Sequence, residues 1–311
     1  RGKTVLILGT GGTHNTVAAV CRSEGAAEIL TVSRRAGEGR LDYAQAAART
    51  DVQIVVNTTP AGMYPDNGGC LLELGGFDKL EAVFDVVYNP FRTELLLRAE
   101  EKDAVAVCGF EMLVAQAVYA AEYFHSAPID HAKIGEIHKA LKAKLCNISI
   151  VGMPSSGKTT IGKALAEKLG KTFVDLDEEI VRRVGKSIPD IFAQEGEAAF
   201  RRLETEAAAE AAKHTGQVIS CGGGIVKTPG NARLLRQNGP VLWICRPLEA
   251  LTVGGGRPLS SSREALEKME AERLPLYRAA ADGIVENSGS LNQAITAAEE
   301  VFYEILDSER A

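Results

Sequence analysis

Paired cysteines, long apolar runs and an excess of basic charge are all missing from this sequence, and each absence excludes a class of protein. The six cysteines are dispersed without a CxxC pair, which excludes a disulfide scaffold and a zinc ribbon, and the five histidines form no metal-ligand pattern. No apolar run approaches the ~20 residues that a membrane-spanning helix needs. Basic residues number 35 against 41 acidic ones, so neither nucleic acid nor an anionic membrane is expected as the main partner. These absences predict a cytoplasmic protein with reduced thiols.

The pattern that is present is a recurring unit of apolar strand, glycine-rich turn and helix. At about 150 residues per domain, the 311 residues correspond to two domains. The unit occurs over Thr4–Gly9 and again over Asn147–Gly152, each with a nearly continuous apolar run. Such runs are typical of parallel strands that are buried on both faces. We therefore predict an α/β protein of two doubly wound parallel-sheet domains, 1–145 and 146–311.

The second unit carries a complete Walker A sequence, Gly152-x4-Gly157-Lys158-Thr159, between its strand and its helix. Glycines allow main-chain N–H groups to surround phosphate oxygens, the lysine reaches the β- and γ-phosphates, and the threonine hydroxyl holds Mg²⁺. The alternative is a Gly/Ser turn that ends in Lys-Thr by chance, and the strand-to-helix context argues against it. The predicted ATP-binding residues of this loop are Gly152, Ser155, Ser156, Gly157, Lys158, Thr159 and Thr160.

Four further features follow in order: Asp175 with Asp177, Arg201 with Glu204, the triple glycine Gly222–Gly224, and the late arginines Arg257 and Arg273. Each of these features, taken by itself, also has an ordinary structural explanation. Arg201 fits a solvated helix surface, Asp175 fits a cap at a strand end, and Arg273 fits a pair with Glu270 three residues earlier. Their joint presence beside a phosphate loop predicts an acceptor site for phosphoryl transfer.

This ordered set resembles shikimate kinase over roughly residues 147–306. The family shows a Walker A loop followed by D-x-D, F-R-x-x-E, G-G-G, R-P-L and R-x-P-L-Y, all of which stand here. The resemblance implies a P-loop domain like that of nucleoside monophosphate kinases, and the reaction of ATP with shikimate to give ADP and shikimate 3-phosphate. Less specific alternatives are a kinase for another small polyol acid and a non-catalytic nucleotide-binding protein.

The resemblance also implies roles for particular residues. Lys158 and Arg257 would neutralise charge on the transferred phosphoryl group, and Arg257 would also contact ATP from a lid. Asp177 would orient the attacking hydroxyl or accept its proton. Thr159 and Asp175 would serve Mg²⁺. Shikimate would be bound by Asp177, Arg201, Glu204, Gly222, Gly223, Gly224 and Arg273.

Two departures concern the nucleotide. The family usually has an arginine shortly before the lid glycines, where this chain has Thr252 and Val253, and 286–289 lacks an arginine often found near the adenine. We expect weaker ATP binding with the reaction retained.

The first unit has a turn, Gly9-Thr10-Gly11-Gly12-Thr13, that can admit a pyrophosphate group. A site for NAD would place an acidic residue at the end of the second strand. The sequence there is Ser33-Arg34-Arg35, which suits the 2′-phosphate of NADP unless both arginines are merely solvated.

Together with the segments from Asn57 to Pro65, from Asp85 to Pro90 and from Gly109 to Gln116, this turn resembles the NADP-binding half of shikimate dehydrogenase, over about residues 2–145. The fold implied is Rossmann-like. NADP(H) would lie on Gly9, Thr10, Gly11, Gly12, Thr13, Ser33, Arg34, Arg35, Thr58, Val86 and Gly109, with Tyr88 and Gln116 at the edge of a shikimate site. The catalytic Lys and Asp of that family lie in an N-terminal domain, and none precedes Arg1. We expect a piece of a longer dehydrogenase–kinase fusion, whose first half binds NADP(H) without hydride transfer.

Overall fold

The computed structural model describes residues 1–252 and 262–308. The chain folds into two compact units, Arg1–Ala140 and Leu141–Ala311. Each unit contains one sheet of five parallel strands, which confirms the predicted fold class. The domain boundary after residue 145 stays a prediction. Among the described residues, no helix has the length and apolar character needed to cross a membrane.

The first sheet has the strand order β2-β1-β3-β4-β5. Its strands are β1 (Thr4–Leu8), β2 (Glu28–Val32), β3 (Ile54–Asn57), β4 (Ala82–Asp85) and β5 (Val105–Cys108). The helices are α1 (Gly12–Ser23), α2 (Tyr43–Ala47), α3 (Glu94–Glu100) and α4 (Phe110–His125). Helix α5 (Ala132–Leu145) contains the point at which the first unit ends and the second begins. In β1, Leu6 and Leu8 pack into one core cluster while Val5 and Ile7 pack into another. The apolar run therefore covers both faces of a central strand, as its sequence predicts.

The second sheet has the strand order β10-β9-β6-β8-β7. Its strands are β6 (Ile148–Val151), β7 (Thr172–Asp175), β8 (Gln217–Ser220), β9 (Val241–Cys245) and β10 (Gly283–Glu286). The helices are α6 (Lys158–Leu169), α7 (Leu176–Val184), α8 (Ile188–Lys213), α9 (Asn231–Arg236), α10 (Arg263–Ala280) and α11 (Leu291–Ser308). Because β6, β7 and β8 are parallel neighbours in this sheet, the segments that follow them meet at one edge.

Helix α8 is interrupted at Gly196, whose φ of 82° and ψ of 171° are not helical. A left-handed φ of this kind is accessible to glycine at little cost. The second part of the helix places Phe200 in the core and buries Glu204 completely. The interruption thus separates the exposed start of α8 from the part that carries Arg201.

Candidate active site

The loop between β6 and α6 depends on two glycines. Gly152 has a φ of +148°, and a Cβ there would lie 2.5 Å from the carbonyl oxygen of Ile244. Gly157 has a φ of +98°, and a Cβ there would lie 2.7 Å from Asn287 Nδ2. Helix α6 begins at Lys158, so its positive end points into the loop. The Walker A sequence therefore adopts the strand, loop and helix arrangement of a phosphate site.

Lys158 is folded back over this loop. Its ammonium donates to the carbonyl oxygens of Gly152, at 2.9 Å, and Met153, at 2.8 Å. The side chain is 9% exposed and lines the cavity described below. The ammonium group is therefore already at the loop and can contact phosphate oxygens in the cavity directly.

Two side chains from neighbouring strand ends hold the outside of the loop. Asn287, which follows β10, donates from Nδ2 to the carbonyl oxygen of Ser156 at 2.8 Å. Arg246, which follows β9, donates from Nη1 to the carbonyl oxygen of Ser155 at 3.4 Å. Sequence reasoning missed both residues as loop contacts. The parallel pairing of β9 with β10 would have been needed to see that they meet the same loop.

A small group of oxygen atoms lies at the start of α6. Thr159 Oγ1 donates to Asp175 Oδ2 at 3.0 Å, and Ser220 Oγ is 3.4 Å from the same hydroxyl. The other oxygen of Asp175 accepts the main-chain N–H of Asp177 at 3.1 Å and so caps α7. Asp175 therefore acts as a helix cap through one carboxylate oxygen, while its second oxygen accepts a hydrogen bond from Thr159. Hydroxyl and carboxylate oxygens suit a hard divalent cation.

Glu204 is fully buried below the triple glycine. A Cβ on Gly222 would lie 2.6 Å from Glu204 Oε1 and 3.0 Å from Asp177 Oδ1, so only glycine fits between these carboxyls. Burial raises the pKa of Glu204 to about 7, although the guanidinium of Arg201 acts in the opposite direction. Arg201 Nη1 donates to Glu204 Oε2 at 2.7 Å.

Arg201 is bound by a second carboxylate. Its Nε and Nη2 both donate to Glu197 Oε1, at 3.2 Å and 3.0 Å, and these hydrogen bonds lower the pKa of Glu197. A Cβ on Gly224 would lie 2.2 Å from Arg201 Nη1. The glycine therefore leaves the space that the guanidinium occupies.

Arg273 is 4% exposed, and its Nη1 donates to the carbonyl oxygen of Gly223 at 2.9 Å. The hydroxyl of Tyr277 donates to the same oxygen at 2.5 Å. Burial raises the pKa of Tyr277 to about 12, so this hydroxyl stays a donor at neutral pH. Arg273 Nε has no acceptor among the described residues, which leaves a buried donor next to the glycine loop.

These groups share one cavity of about 690 Å³. The predicted residues that line it are Ser155, Gly157, Lys158, Thr159, Thr160, Asp175, Asp177, Arg201, Glu204, Gly222, Gly223, Gly224 and Arg273. Gly152 and Ser156 are buried residues of the loop and do not line the cavity. Arg257 and the lid glycines lie outside the described residues. Three apolar side chains, those of Phe192, Phe200 and Met269, also line the cavity. The sequence did not predict them, because an apolar helix residue that faces a cavity cannot be distinguished by sequence from one that faces the core.

In the first unit, four of the residues predicted to bind NADP(H) lie close together as two pairs, Gly9 with Thr58 and Gly109 with Val86. Gly9 has a φ of +101°, and a Cβ there would lie 2.9 Å from Thr58 Oγ1, which itself donates to the carbonyl oxygen of Leu8 at 2.6 Å. A Cβ on Gly109 would lie 2.1 Å from the carbonyl oxygen of Val86. Both pairs follow strands of the same sheet. The strand order reverses beside β1, which is where such sheets bind ligands.

The turn of Gly9–Thr13 leads into α1, whose first turn has neither a side-chain cap nor an acidic residue. After β2, Ser33 Oγ donates to the carbonyl oxygen of Arg35 at 2.5 Å, and both Arg34 and Arg35 are exposed. Tyr88 and Gln116 are exposed as well. The assignment of these residues to NADP and to shikimate stays a prediction.

Asp85 is a buried residue at the start of the segment 85–90, and the resemblance gives it no role of its own. Burial raises its pKa to about 6, while hydrogen bonds from Thr93, the main-chain N–H of Val87 and Asn57 act against this rise. Asn57 in turn accepts from the main chain and hydroxyl of Thr59. Asp85 therefore shapes the loop that carries Thr58.

The strand, glycine loop and helix, with cationic and carboxylate groups in one cavity, define the second unit as a P-loop phosphotransferase. A family model described as shikimate kinase matches residues 154–308. The shikimate kinase of Nitrosomonas europaea is 42% identical over 148 residues, which are 45% of this chain and 70% of that relative. The chain belongs to the shikimate kinase family.

Two solved structures are similar to parts of this chain. Shikimate kinase from Acinetobacter baumannii in complex with shikimate has 34% sequence identity and a TM-score of 0.50, and the match covers 55% of this chain and 98% of that one. A chorismate mutase/shikimate 5-dehydrogenase fusion protein from Clostridium acetobutylicum has 28% identity and a TM-score of 0.44. The match to this second protein covers 46% of this chain and 56% of that chain's length.

Proposed function

We propose that the second unit transfers the γ-phosphoryl group of ATP to the 3-hydroxyl of shikimate. The observation that carries the proposal is that Arg201 and Arg273 lie in the same cavity as Lys158 and Asp177. A phosphate loop alone indicates a nucleotide, whereas two arginines beside a glycine loop indicate an acceptor with a carboxylate group. The solved relative in complex with shikimate supports the same acceptor.

Lys158 and the start of α6 stabilise negative charge on the β- and γ-phosphates. The ammonium now donates to two main-chain oxygens, and phosphate oxygens replace one or both when the nucleotide binds. Charge that is offered by groups already in place stabilises the transition state of phosphoryl transfer. Arg257 is the predicted second cation.

Asp177 receives the proton of the attacking hydroxyl. In the reaction, an O–P bond forms at the 3-hydroxyl of shikimate while the bond between the γ-phosphorus and the bridging oxygen of ADP breaks. Asp177 lines the cavity beside Gly222, within reach of a substrate that rests on the triple glycine. A carboxylate in this position orients the hydroxyl and accepts its proton.

The substrate carboxylate binds between Arg201 and Arg273. Arg201 is fixed from below by Glu204, and Arg273 is fixed by Gly223. A planar guanidinium fork matches a carboxylate. At Arg201 the fork formed by Nε and Nη2 is held by Glu197, which a substrate carboxylate would have to replace. This pair predicts a preference for an acid over a neutral polyol.

Thr159 and Asp175 are the residues that would hold Mg²⁺. Their oxygen atoms lie 3.0 Å apart, with Ser220 close by, and oxygen ligands fit this cation. When bound, Mg²⁺ would neutralise charge on the phosphates.

For the first unit, we propose binding of NADP(H). Gly9 and Thr58 form a close approach at the point where the strand order reverses, and two exposed arginines follow β2. This combination favours a pyrophosphate at the turn and a 2′-phosphate at Arg34 and Arg35. We further infer a cytoplasmic location, because the six cysteines are dispersed along the sequence and contain no CxxC pair.

The test is the rate of ADP release from Mg-ATP with shikimate, with quinate and with neither. We expect release that depends on shikimate. Faster release with quinate would indicate a kinase for another polyol acid, and nucleotide binding without any release would indicate a non-catalytic protein.

A further inference from the structure

Arg201 is already bound by carboxylates before substrate arrives, which matters if, as in the proposed function on which this rests, Arg201 binds the substrate carboxylate. Two glutamates hold this guanidinium from different sides. Glu204 is 0% exposed and bonds Nη1, whereas Glu197 is 43% exposed and bonds both Nε and Nη2. The edge formed by Nε and Nη2 is the fork that an incoming carboxylate would use.

We propose that Glu197 is an internal competitor of the substrate carboxylate. Its Oε1 accepts from both nitrogens of this edge, at 3.2 Å and 3.0 Å. Glu204 cannot compete with the substrate in this way, because it is fully buried and bonds a different nitrogen of the guanidinium, Nη1. A substrate carboxylate therefore exchanges with Glu197, and the exchange lowers the apparent affinity for the acid.

Glu197 is placed so that it can leave. It directly follows Gly196, where the helix is interrupted, so its main chain lacks a continuous helical turn on the N-terminal side. Lys227 Nζ lies 3.5 Å from Glu197 Oε1 and also pairs with Glu272 at 3.1 Å. A displaced Glu197 thus has a second cation within reach. Arg201 is 14% exposed, but the Glu197 carboxylate is 43% exposed, so water weakens this contact and permits exchange.

The variant Glu197→Gln tests the proposal, because it keeps the length of the side chain and removes its charge. We expect the KM for shikimate to fall by about three- to tenfold, with kcat within about twofold, since the lost ion pair is of modest strength. The matched control is Glu195→Gln. Glu195 is 41% exposed on the same helix but pairs with Lys186 at 2.8 Å, so its replacement should leave the KM unchanged.

A second substrate separates competition from a structural role. The methyl ester of shikimate has no carboxylate charge and does not need Arg201 to be released. Competition predicts that the ratio of KM for the ester to KM for shikimate rises in Glu197→Gln by the same factor by which the KM for shikimate falls. If Glu197 instead positions Arg201, the variant raises the KM for shikimate, and this result, or no change, overturns the proposal.

The failure of the proposed function would look different. Wild-type protein that neither binds nor phosphorylates shikimate contradicts the proposed function and the competitor together. Wild-type protein that phosphorylates shikimate, combined with an unchanged or raised KM in the variant, contradicts the competitor alone.

Discussion

Asn287 Nδ2 donates a 2.8 Å hydrogen bond to the carbonyl oxygen of Ser156, in the middle of the phosphate loop. The main-chain N–H of Asn287 is held in turn by the carbonyl oxygen of Cys245, at 2.7 Å. The segment at 286–289 lacks the arginine that the family often has there, yet it supports the loop by another contact. The nucleotide site therefore depends on a residue that comes more than 100 positions after the Walker A sequence.

We expect Asn287→Ala to raise the KM for ATP by about three- to tenfold, which corresponds to the loss of one hydrogen bond of roughly 1 kcal/mol. The KM for shikimate should change by less than twofold, because the contact lies on the nucleotide side. Initial rates with each substrate varied in turn provide the measurement. Asn292→Ala, on the exposed start of α11, is the matched control. Equal kinetics in both variants would show that the loop does not need this anchor.

Gly224→Ala tests the acceptor side. A Cβ at this position would lie 2.2 Å from Arg201 Nη1, so the guanidinium has to move. We expect the KM for shikimate to rise by about tenfold or more, equivalent to roughly 1.4 kcal/mol, while ATP binding is retained. Gly135→Ala, where a Cβ meets open space, serves as the control. Unchanged shikimate kinetics in Gly224→Ala would remove Arg201 from the substrate site.

Glu204 makes the stability of the second unit dependent on pH. Its pKa is about 7 in the folded protein against an ordinary value of 4.5, so the folded state keeps a proton that the unfolded state loses. The free energy of unfolding should therefore fall as pH rises from 4.5 to 7, by on the order of 3 kcal/mol, and then level off. Asp85, with a folded pKa of about 6, gives the same sign in the first unit.

The single tryptophan, Trp243, lies in β9 and stacks on Tyr277, so its fluorescence reports on the second unit. Denaturant unfolding followed at pH 5 and pH 8 should show the fall in wild-type protein. The fall in the free energy of unfolding should be smaller in Glu204→Gln. It should be as large as in the wild type in Glu206→Gln, which alters an exposed residue of the same helix. A fall of equal size in all three proteins would assign the pH dependence to other groups.

Arg34 and Arg35 should determine the choice of cofactor in the first unit. We expect the double change Arg34→Gln and Arg35→Gln to weaken NADPH binding by about tenfold or more, since each guanidinium lost removes a charge-assisted contact of roughly 1.5–3 kcal/mol at most. NADH binding should hardly change. Titration of each cofactor by its own fluorescence provides the measurement, with Arg22→Gln on α1 as the control. Equal losses for both cofactors would place the arginines away from the 2′-phosphate.

Local sequence was enough for the strands and for the phosphate loop. The apolar run at Val5–Leu8 is buried on both faces, and the Walker A glycines adopt the conformations that such a loop requires. These features depend on residues that are close in the chain. The family resemblance then supplied the distant members of the site, such as Arg201 and Arg273, which no local pattern links to Lys158.

What the sequence did not predict depends on contacts between distant segments. Glu197 lies four residues before Arg201 on one helix, a spacing that permits an ion pair but does not show which edge of the guanidinium the carboxylate occupies. Arg246 and Asn287 become loop anchors only because β9 and β10 are neighbours. Asp85 is distinguished by its burial, which a short apolar run does not reveal. Such roles follow from packing and not from residue spacing.

The central claim is that this chain phosphorylates shikimate on its 3-hydroxyl. The most direct measurement is phosphorus NMR of the products formed from Mg-ATP and shikimate, with ADP release recorded in parallel. The account predicts equal amounts of ADP and of a phosphomonoester coupled to the proton at carbon 3. ADP without a phosphorylated acceptor, or a phosphate on another hydroxyl, would contradict it.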